Sequence, residues 1–374
     1  MLFGAMALSS CEDAKYDTLT NQAYILQTNT DANSSQKLTI GNDPIVTGIN
    51  VRLSDKAMES SSYRIVYDAA ALEKYNVKNE TSYTALPEST FSMSSTETTI
   101  EAGSSVSSSI AVTINPLTAE MKNSGKKYAL AFRLESIDGK ANILSSGSVM
   151  VFILDQVVIQ PVVVLNNDNY IKQNFPEREF EINEWTVEFN VNKEILGTAV
   201  GKYNNQNIFG AYPGEIYIRF GDAPIEGNRL QIKTQGTQMN SQMLFNTDTW
   251  YHIAYVCTGS KLYLYVNGVL DNSMDLPGNS MSVNEFFIND KSSYNKGDSR
   301  YSEFRFWNKA RTQNEILNNM YVCDPTTPGF IFYYKMNEGS GNTLHDASGC
   351  FGDIEIDGNG SPTWIQDVRI DGKK

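Results

Sequence analysis

Apolar residues along this chain recur mostly at every second position, in short runs broken by Gly, Asn, Ser and Asp, and no long helical periodicity is present. The densest pattern lies between Asp248 and Asp271. Trp250 to Cys257 is rich in aromatic and β-branched residues, and Thr258, Gly259 and Ser260 make a turn. Leu262, Leu264 and Val266 then alternate with Tyr263 and Tyr265, and Asn267-Gly268 supplies the hairpin turn before Val269 and Leu270. Period two puts the leucines on a core face and the tyrosines on the opposite face. Elsewhere the same reading predicts strands at Ile45–Leu53, Tyr63–Tyr67, Ile110–Ile114, Tyr128–Leu134 and Ser148–Leu154. A second series falls at Trp185–Val191, Glu215–Phe220, Leu230–Lys233, Ser302–Trp307 and Phe330–Met336. Two short helices are predicted, at Ala69–Tyr75 and after the capping box Thr312-Gln313-Asn314-Glu315, where Ile316, Leu317 and Met320 follow at helical spacing. The fold class is therefore all-β, and several short strands with turns between them suggest sandwiches.

With 374 residues the chain has room for two such domains. Residues 1–36 read as a leader and polar tether, 37–156 as a first β-sandwich, and 162–374 as a second domain, with the joint at Gln156 to Pro161, where proline resets the backbone. A hydrophobic content of 41% supports real cores. The net charge of −13 disfavours nucleic acid as a partner, since an acidic surface repels phosphate. No internal segment is apolar for long enough to span a bilayer. The cysteines Cys257, Cys323 and Cys350 match no zinc spacing; Cys323 and Cys350 could pair in an oxidising compartment, with Cys257 buried on its strand, but spacing does not fix that pairing.

Several motifs resemble known families. The apolar Leu2 to Leu8 followed by Leu8-Ser9-Ser10-Cys11 resembles a bacterial lipobox, without the usual basic region before it, and Glu12, Asp13 and Asp17 resemble the export signal of Bacteroidetes surface lipoproteins. That resemblance implies lipid attachment at Cys11 and an outer-membrane, cell-surface location. The order Tyr75-Asn76-Val77, Tyr83-Thr84-Ala85-Leu86-Pro87, Phe91-Ser92-Met93, Ile100-Glu101-Ala102-Gly103 and Tyr128-Ala129-Leu130 resembles the immunoglobulin-like N-terminal module found before family 18 endoglycosidases or glycan-binding domains. It implies a spacer or binding platform.

In the second domain the resemblance is to laminin G-like, concanavalin A-like jelly rolls. It rests on Asn166-Asn167-Asp168-Asn169-Tyr170-Ile171, Glu184-Trp185-Thr186-Val187-Glu188-Phe189, and the hairpin Trp250-Tyr251-His252-Ile253-Ala254 with Tyr265-Val266-Asn267-Gly268. It continues in Glu303-Phe304-Arg305-Phe306-Trp307-Asn308-Lys309-Ala310-Arg311 with Glu315-Ile316, and in Tyr334-Lys335-Met336-Asn337-Glu338-Gly339-Ser340-Gly341 with Asp346-Ala347-Ser348-Gly349. Asn190 departs from the pattern, because many relatives carry an aromatic there. The resemblance implies a calcium site in some members, and Asp168, Asp298 and Asp346 are the candidate metal ligands here by residue type and loop context.

Sugar rings pack their C–H faces on aromatic rings and need hydrogen-bond partners for their hydroxyls. Candidate ligand residues are therefore the non-core faces of strands, Tyr217, Arg219, Tyr263 and Tyr265, with Gln231 and Lys233 beside them, and two polar, aromatic loops: Tyr203 and Asn205 in one, Tyr294, Arg300 and Tyr301 in the other. Trp185, Trp250, Trp307 and Trp364 read as core. The expected function is non-catalytic capture of a glycan or oligosaccharide for a partner hydrolase or importer, by a protein held to the membrane through its lipid. A protein-interaction or adhesion module is the alternative. A third reading is a family 16-like glycoside hydrolase using Asp353, Glu355 and Asp357, although that family's outer acids are glutamates. His252 and His345 sit in no nucleophile motif.

Overall fold

A computed structural model describes residues 21–30 and 34–371. The proposed lipid-attachment residue Cys11 and the acidic stretch after it lie outside the described residues.

The first domain packs strands from three sheets around Ile25, Ile49, Val51, Ile65, Val112, Phe132 and Phe152. Its largest sheet runs Ser35–Ile40, Val149–Gln156, Tyr128–Ser136, Ser61–Tyr67 and Glu97–Ile100. The predicted tether is too long. Gln22–Ile25 is a strand paired with Val51–Leu53 and with Asn142–Ile143, and Ala23 and Ile25 are fully buried. Two alternating apolar residues sufficed to dock it, a signal too short to separate from polar surroundings. The predicted run Ile45–Leu53 is two strands, Ile45–Ile49 and Val51–Leu53, in different sheets. Helix α1 (Ala69–Asn79) is longer than predicted; the Asp68 side chain caps it by accepting from the Ala71 N–H at 3.0 Å. A single turn, α2 (Ala119–Asn123), follows later.

The joint is shorter than the sequence suggests. Pro161 lies inside the strand Ile159–Leu165, at a register shift between Gln160 and Val162, where the irregularity tolerates its missing N–H. Only Val157 and Val158 separate that strand from the last strand of the first domain.

The second domain is a sandwich of two antiparallel sheets. The back sheet runs Val269–Asp275, Lys261–Val266, Tyr251–Thr258, Glu184–Lys193, Ser299–Trp307, Ile159–Leu165 and Thr363–Arg369, with Phe330–Tyr334 on Ser299–Trp307. The front sheet runs Thr237–Leu244, Arg229–Thr234, Ile216–Phe220, Gln206–Pro213, Met281–Ile288, Asn169–Asn174 and Asp357–Gly358. Leu262, Leu264 and Val266 from the back sheet meet Ile216, Ile218, Phe220, Leu230 and Ile232 from the front in one core. Trp185 and Trp307 are fully buried, as predicted; Trp364 packs half-buried against the core and Trp250 is half-buried.

The outer face of the back sheet is closed. Helix α3 (Gln313–Asn319) carries the predicted capping box and lays Ile316 on Ala254, Val256 and Tyr265. Beneath the same segment lies a buried charge cluster. Glu188 Oε1 accepts from Trp307 Nε1 at 2.8 Å, from Arg305 Nη1 at 3.2 Å and from Arg311 Nη1. Arg305 also donates to Glu303 at 2.6 Å and to the Asn319 carbonyl at 2.8 Å. Burial pushes the Glu188 pKa up, but Arg311 and Arg305 outweigh it and hold the carboxyl well below the usual range. Burial keeps the His252 imidazole below its ordinary value; its Nε2 is 3.6 Å from Glu188, too far for a hydrogen bond.

Cys323 and Cys350 are free thiols, as is Cys257: Cys323 is buried beside Trp307, Phe330 and Tyr333, and Cys350 is exposed.

Candidate functional site

The outer face of the front sheet is the candidate ligand surface; Tyr212, Tyr217 and Lys233 are half-buried on it, and Arg219, Gln231 and Phe287 are buried. Alternation builds it in rows across the strands. Lys172 faces Phe287, Phe287 faces Gly210, Gly210 faces Tyr217 and Tyr217 faces Lys233. The neighbouring row is Asn207, Arg219, Gln231 and Asn240. Tyr212 stands opposite Glu285.

Gly210 is required there. A Cβ at this position would sit 2.2 Å from the Phe287 ring, so the absence of a side chain lets the ring lie flat across the strand. Tyr212 and Tyr217 flank that ring, with centroids 6.2 Å and 6.1 Å from it. Burial raises the phenol pKa of both tyrosines, that of Tyr212 to about 12, so they act as neutral hydroxyls.

Arg219 organises the polar half. It donates to Gln231 Oε1 from Nε at 3.0 Å and from Nη2 at 2.6 Å, to Asp222 at 2.6 Å and to Asn205 at 2.8 Å. Its guanidinium lies 5.3 Å from the Tyr217 centroid. Tyr217 Oη donates to the same Asn205 oxygen at 2.9 Å, and Gln231 Nε2 donates to Asn240 at 2.8 Å. The guanidinium charge is answered by Asp222, so the network offers fixed amides and hydroxyls rather than a free cation.

The predicted loops meet at one rim of this face. Asn207 N–H donates to Asn295 Oδ1 at 3.0 Å, its Nδ2 donates to the Asp290 carbonyl at 3.0 Å, and Lys296 N–H donates to Gln206 Oε1 at 3.0 Å. Asn205, in the left-handed region at φ +57°, reaches back from its loop onto Arg219 and Tyr217. Tyr203 and Tyr294 are exposed on the two loops, at 42% and 50%.

The structure thus brings Asn205, Tyr217 and Arg219 together, with Tyr203 and Tyr294 on the adjoining loops. The other expected ligand residues lie elsewhere. Tyr263 and Tyr265 belong to the back sheet, so Arg219, Gln231 and Lys233 do not extend their face. The chain changes sheets after Leu244, and α3 then covers Tyr265. Tyr301 is fully buried against Phe189 and Phe304. Arg300 is a back-sheet residue held by Asn192 at 2.8 Å and Asp248 at 3.0 Å. Sequence reasoning missed Tyr212, Phe287, Asp222 and Asn240. The Phe286-Phe287 pair puts one ring on each face, and equal apolarity hides which is which.

The three candidate metal ligands form no common site. Asp346 spends both oxygens on the N–H groups of Tyr333, Ser348, Phe351 and Gly352. Asp298 accepts from Asn166 Nδ2 at 2.9 Å, whereas Asp168 meets that same Asn166 only through its backbone N–H, which donates to Oδ1. Among the described residues no cluster of three or more His, Cys, Asp or Glu side chains could hold a metal ion. The acids Asp353, Glu355 and Asp357 are likewise dispersed. Asp353 pairs with His345 at 2.7 Å, Glu355 accepts from Thr343 at 2.7 Å, and Asp357 accepts from the Lys172 N–H at 2.8 Å on a separate strand.

Residues 165–317 match the family model of the concanavalin A-like lectin/glucanases superfamily, and residues 19–141 match a model described as an N-terminal domain. No curated protein matches the chain. A Bacteroides ovatus crystal structure, described as that of a proposed carbohydrate-binding protein, aligns with 22% identity and a TM-score of 0.59 over 93% of this chain and 99% of that one. A crystal structure of Bacteroides thetaiotamicron EndoBT-3987 with Man5GlcNAc product aligns at 17% identity and TM-score 0.31 over 36% of this chain and 31% of its own. A SAP-like pentraxin from Limulus polyphemus aligns at 11% and 0.37, over 57% and 97%. The Bacteroides ovatus structure shares the two-domain fold of this chain. Residues 165–317 thus belong to a laminin G-like domain of the concanavalin A-like lectin/glucanases superfamily, carried behind a separate N-terminal β-sandwich.

Proposed function

We propose that this protein binds glycans without cleaving them, on the outer face of the front sheet, and captures oligosaccharide at the cell surface for a partner hydrolase or importer. The observation that carries the reading is the side-by-side placement, on the outer face of the front sheet, of half-buried Tyr212 and Tyr217 around the Phe287 ring and of an Arg219-centred network of amides and hydroxyls. The aromatic strip suits sugar C–H faces, and the amides suit hydroxyls. The lectin-type domain and the carbohydrate-binding description of the Bacteroides ovatus neighbour support it. The dispersal of Asp353, Glu355 and Asp357 weighs against retaining hydrolysis, which needs two carboxyls about 5 Å apart across a bond. The lipobox-like Cys11 motif supports surface attachment.

A glycan array probed with the full chain, followed by calorimetry on the strongest hit, tests this. Tyr217→Ala should weaken that hit roughly ten-fold, the equivalent of about 1.4 kcal/mol of lost ring contact. An array without hits, together with capture of an outer-membrane protein, would replace this reading with an adhesion module. Release of reducing sugar from any array glycan would replace it with hydrolysis.

A further inference from the structure

The two domains touch sparingly. Tyr83 Oη donates to Asn318 at 3.3 Å, Asn314 to Glu80 at 3.4 Å, and Lys335 to the Asn123 carbonyl at 3.3 Å. At Gly125, φ +73°, the backbones approach so tightly that a Cβ would lie 2.3 Å from the Cys323 carbonyl oxygen. Around these contacts the surfaces part, and a cavity of about 200 Å³ remains between them. Both domains build it: Tyr83, Lys127 and Tyr128 from the first, Tyr321, Met320 and Asn318 from the second. Domain boundaries are a favoured place for small-molecule sites.

The cavity's composition is selective. Three tyrosines give it aromatic walls, as Tyr83, Tyr128 and Tyr321. Lys37, Lys126 and Lys127 line it against a single acid, Asp155, in a chain whose net charge is −13. Among the described residues no hydrogen bond or ion pair engages the ammonium of Lys126 or Lys127. Lys127 also lines the adjoining groove of about 430 Å³, so a ligand can reach it from solvent. Burial brings the pKa of half-exposed Lys127 down to about 8; Asp155 opposes that shift and Lys37 adds to it.

We propose that this interdomain cavity binds a small ring-bearing carboxylate, its carboxylate on Lys127 and its ring against Tyr83, Tyr128 and Tyr321. The carboxylate satisfies the unengaged ammonium, Lys37 and Lys126 make the local potential favour an anion, and the tyrosine walls take either a sugar ring or an aromatic ring. The site is independent of the front-sheet reading, since no residue is shared between them.

The test is calorimetry on the full chain with two acids and their neutral counterparts: D-glucuronate with glucose, and benzoate with benzamide. The expected result is one-to-one binding of at least one acid, with its neutral counterpart at least about ten-fold weaker, because a charge-assisted hydrogen bond is lost. Lys127→Met should weaken that acid by the same factor without shifting the melting temperature, and Tyr217→Ala should leave it unchanged. Which acid wins separates a uronate from an aromatic acid. Should Lys127→Met fail to fold, the labelled methyl resonance of Met320 in the wild-type protein must move on titration. Failure of both acids to bind, equal binding of a neutral counterpart, full affinity in folded Lys127→Met, or a stationary Met320 signal would each overturn the assignment.

Discussion

Replacing Glu188 with Gln tests the charge cluster that lies beneath the α3 segment on the back sheet. Glu188 and Glu303 balance Arg305 and Arg311, all of them buried. Removing the Glu188 charge leaves one buried guanidinium uncompensated. Breaking a buried pair in this way costs about 3–5 kcal/mol. For a domain of this size each kcal/mol moves the midpoint by roughly 2–4 °C, so the second domain should melt roughly 6–20 °C lower. Tryptophan fluorescence isolates the effect, because Trp185, Trp250, Trp307 and Trp364 all lie in the second domain, and Trp307 itself donates to Glu188. Adding Arg311→Met restores neutrality and should recover part of the loss, a non-additivity expected of residues in one network. A shift below about 2 °C for Glu188→Gln, or no recovery in the double variant, would refute a charge-coupled clamp. The pH dependence has a fixed sign. The Glu188 pKa is depressed in the folded state, so its contribution is complete above the ordinary glutamate value near 4.3 and is lost as pH falls toward the folded pKa.

Other outcomes follow from the same geometry. Tyr265→Ala should destabilise the second domain by about 3–5 kcal/mol in a denaturant titration, because the ring packs under Ile316, and should leave glycan affinity per folded molecule unchanged. Gly210→Ala should displace the Phe287 ring and weaken glycan capture as strongly as Tyr217→Ala, while circular dichroism still reports a folded sheet; unchanged affinity would remove Phe287 from the site. In native protein, a maleimide should label Cys350 rapidly and Cys257 and Cys323 only after unfolding, as read by peptide mass spectrometry.

The local record in the sequence was strong wherever one face of an element is apolar and the other is not. Period two named the Leu262–Val266 strand and its core face, and the capping box located α3, because both signals come from neighbours within a few residues. The same rule placed Tyr217 and Arg219 outward, and there they stand. Alternation says which side of its own sheet a residue occupies; it does not say which sheet, or what covers that side. Tyr265 and Tyr217 have the same local pattern, yet a helix some fifty residues later in the chain covers Tyr265, whereas Tyr217 lies on the other sheet, half-buried beside Phe287 and Arg219. Short elements were lost for a related reason: Gln22–Ile25 has too few residues to show a period, and its distant partners Val51–Leu53 and Asn142–Ile143 hold it.

The sequence by itself determined the all-β class, the two domains, the core faces of the long strands and the polar, aromatic character of the loops that end in Asn205 and Asn295. Those properties follow from backbone geometry and from transfer of apolar side chains out of water, and both act locally. The tertiary structure alone decided that Arg219, Gln231, Asn205 and Tyr217 form one network, that Tyr263 and Tyr265 belong to the opposite sheet, and that Lys127 lines a cavity between domains. Those relations join residues far apart in the chain, and only the global packing of two cores fixes which of them meet.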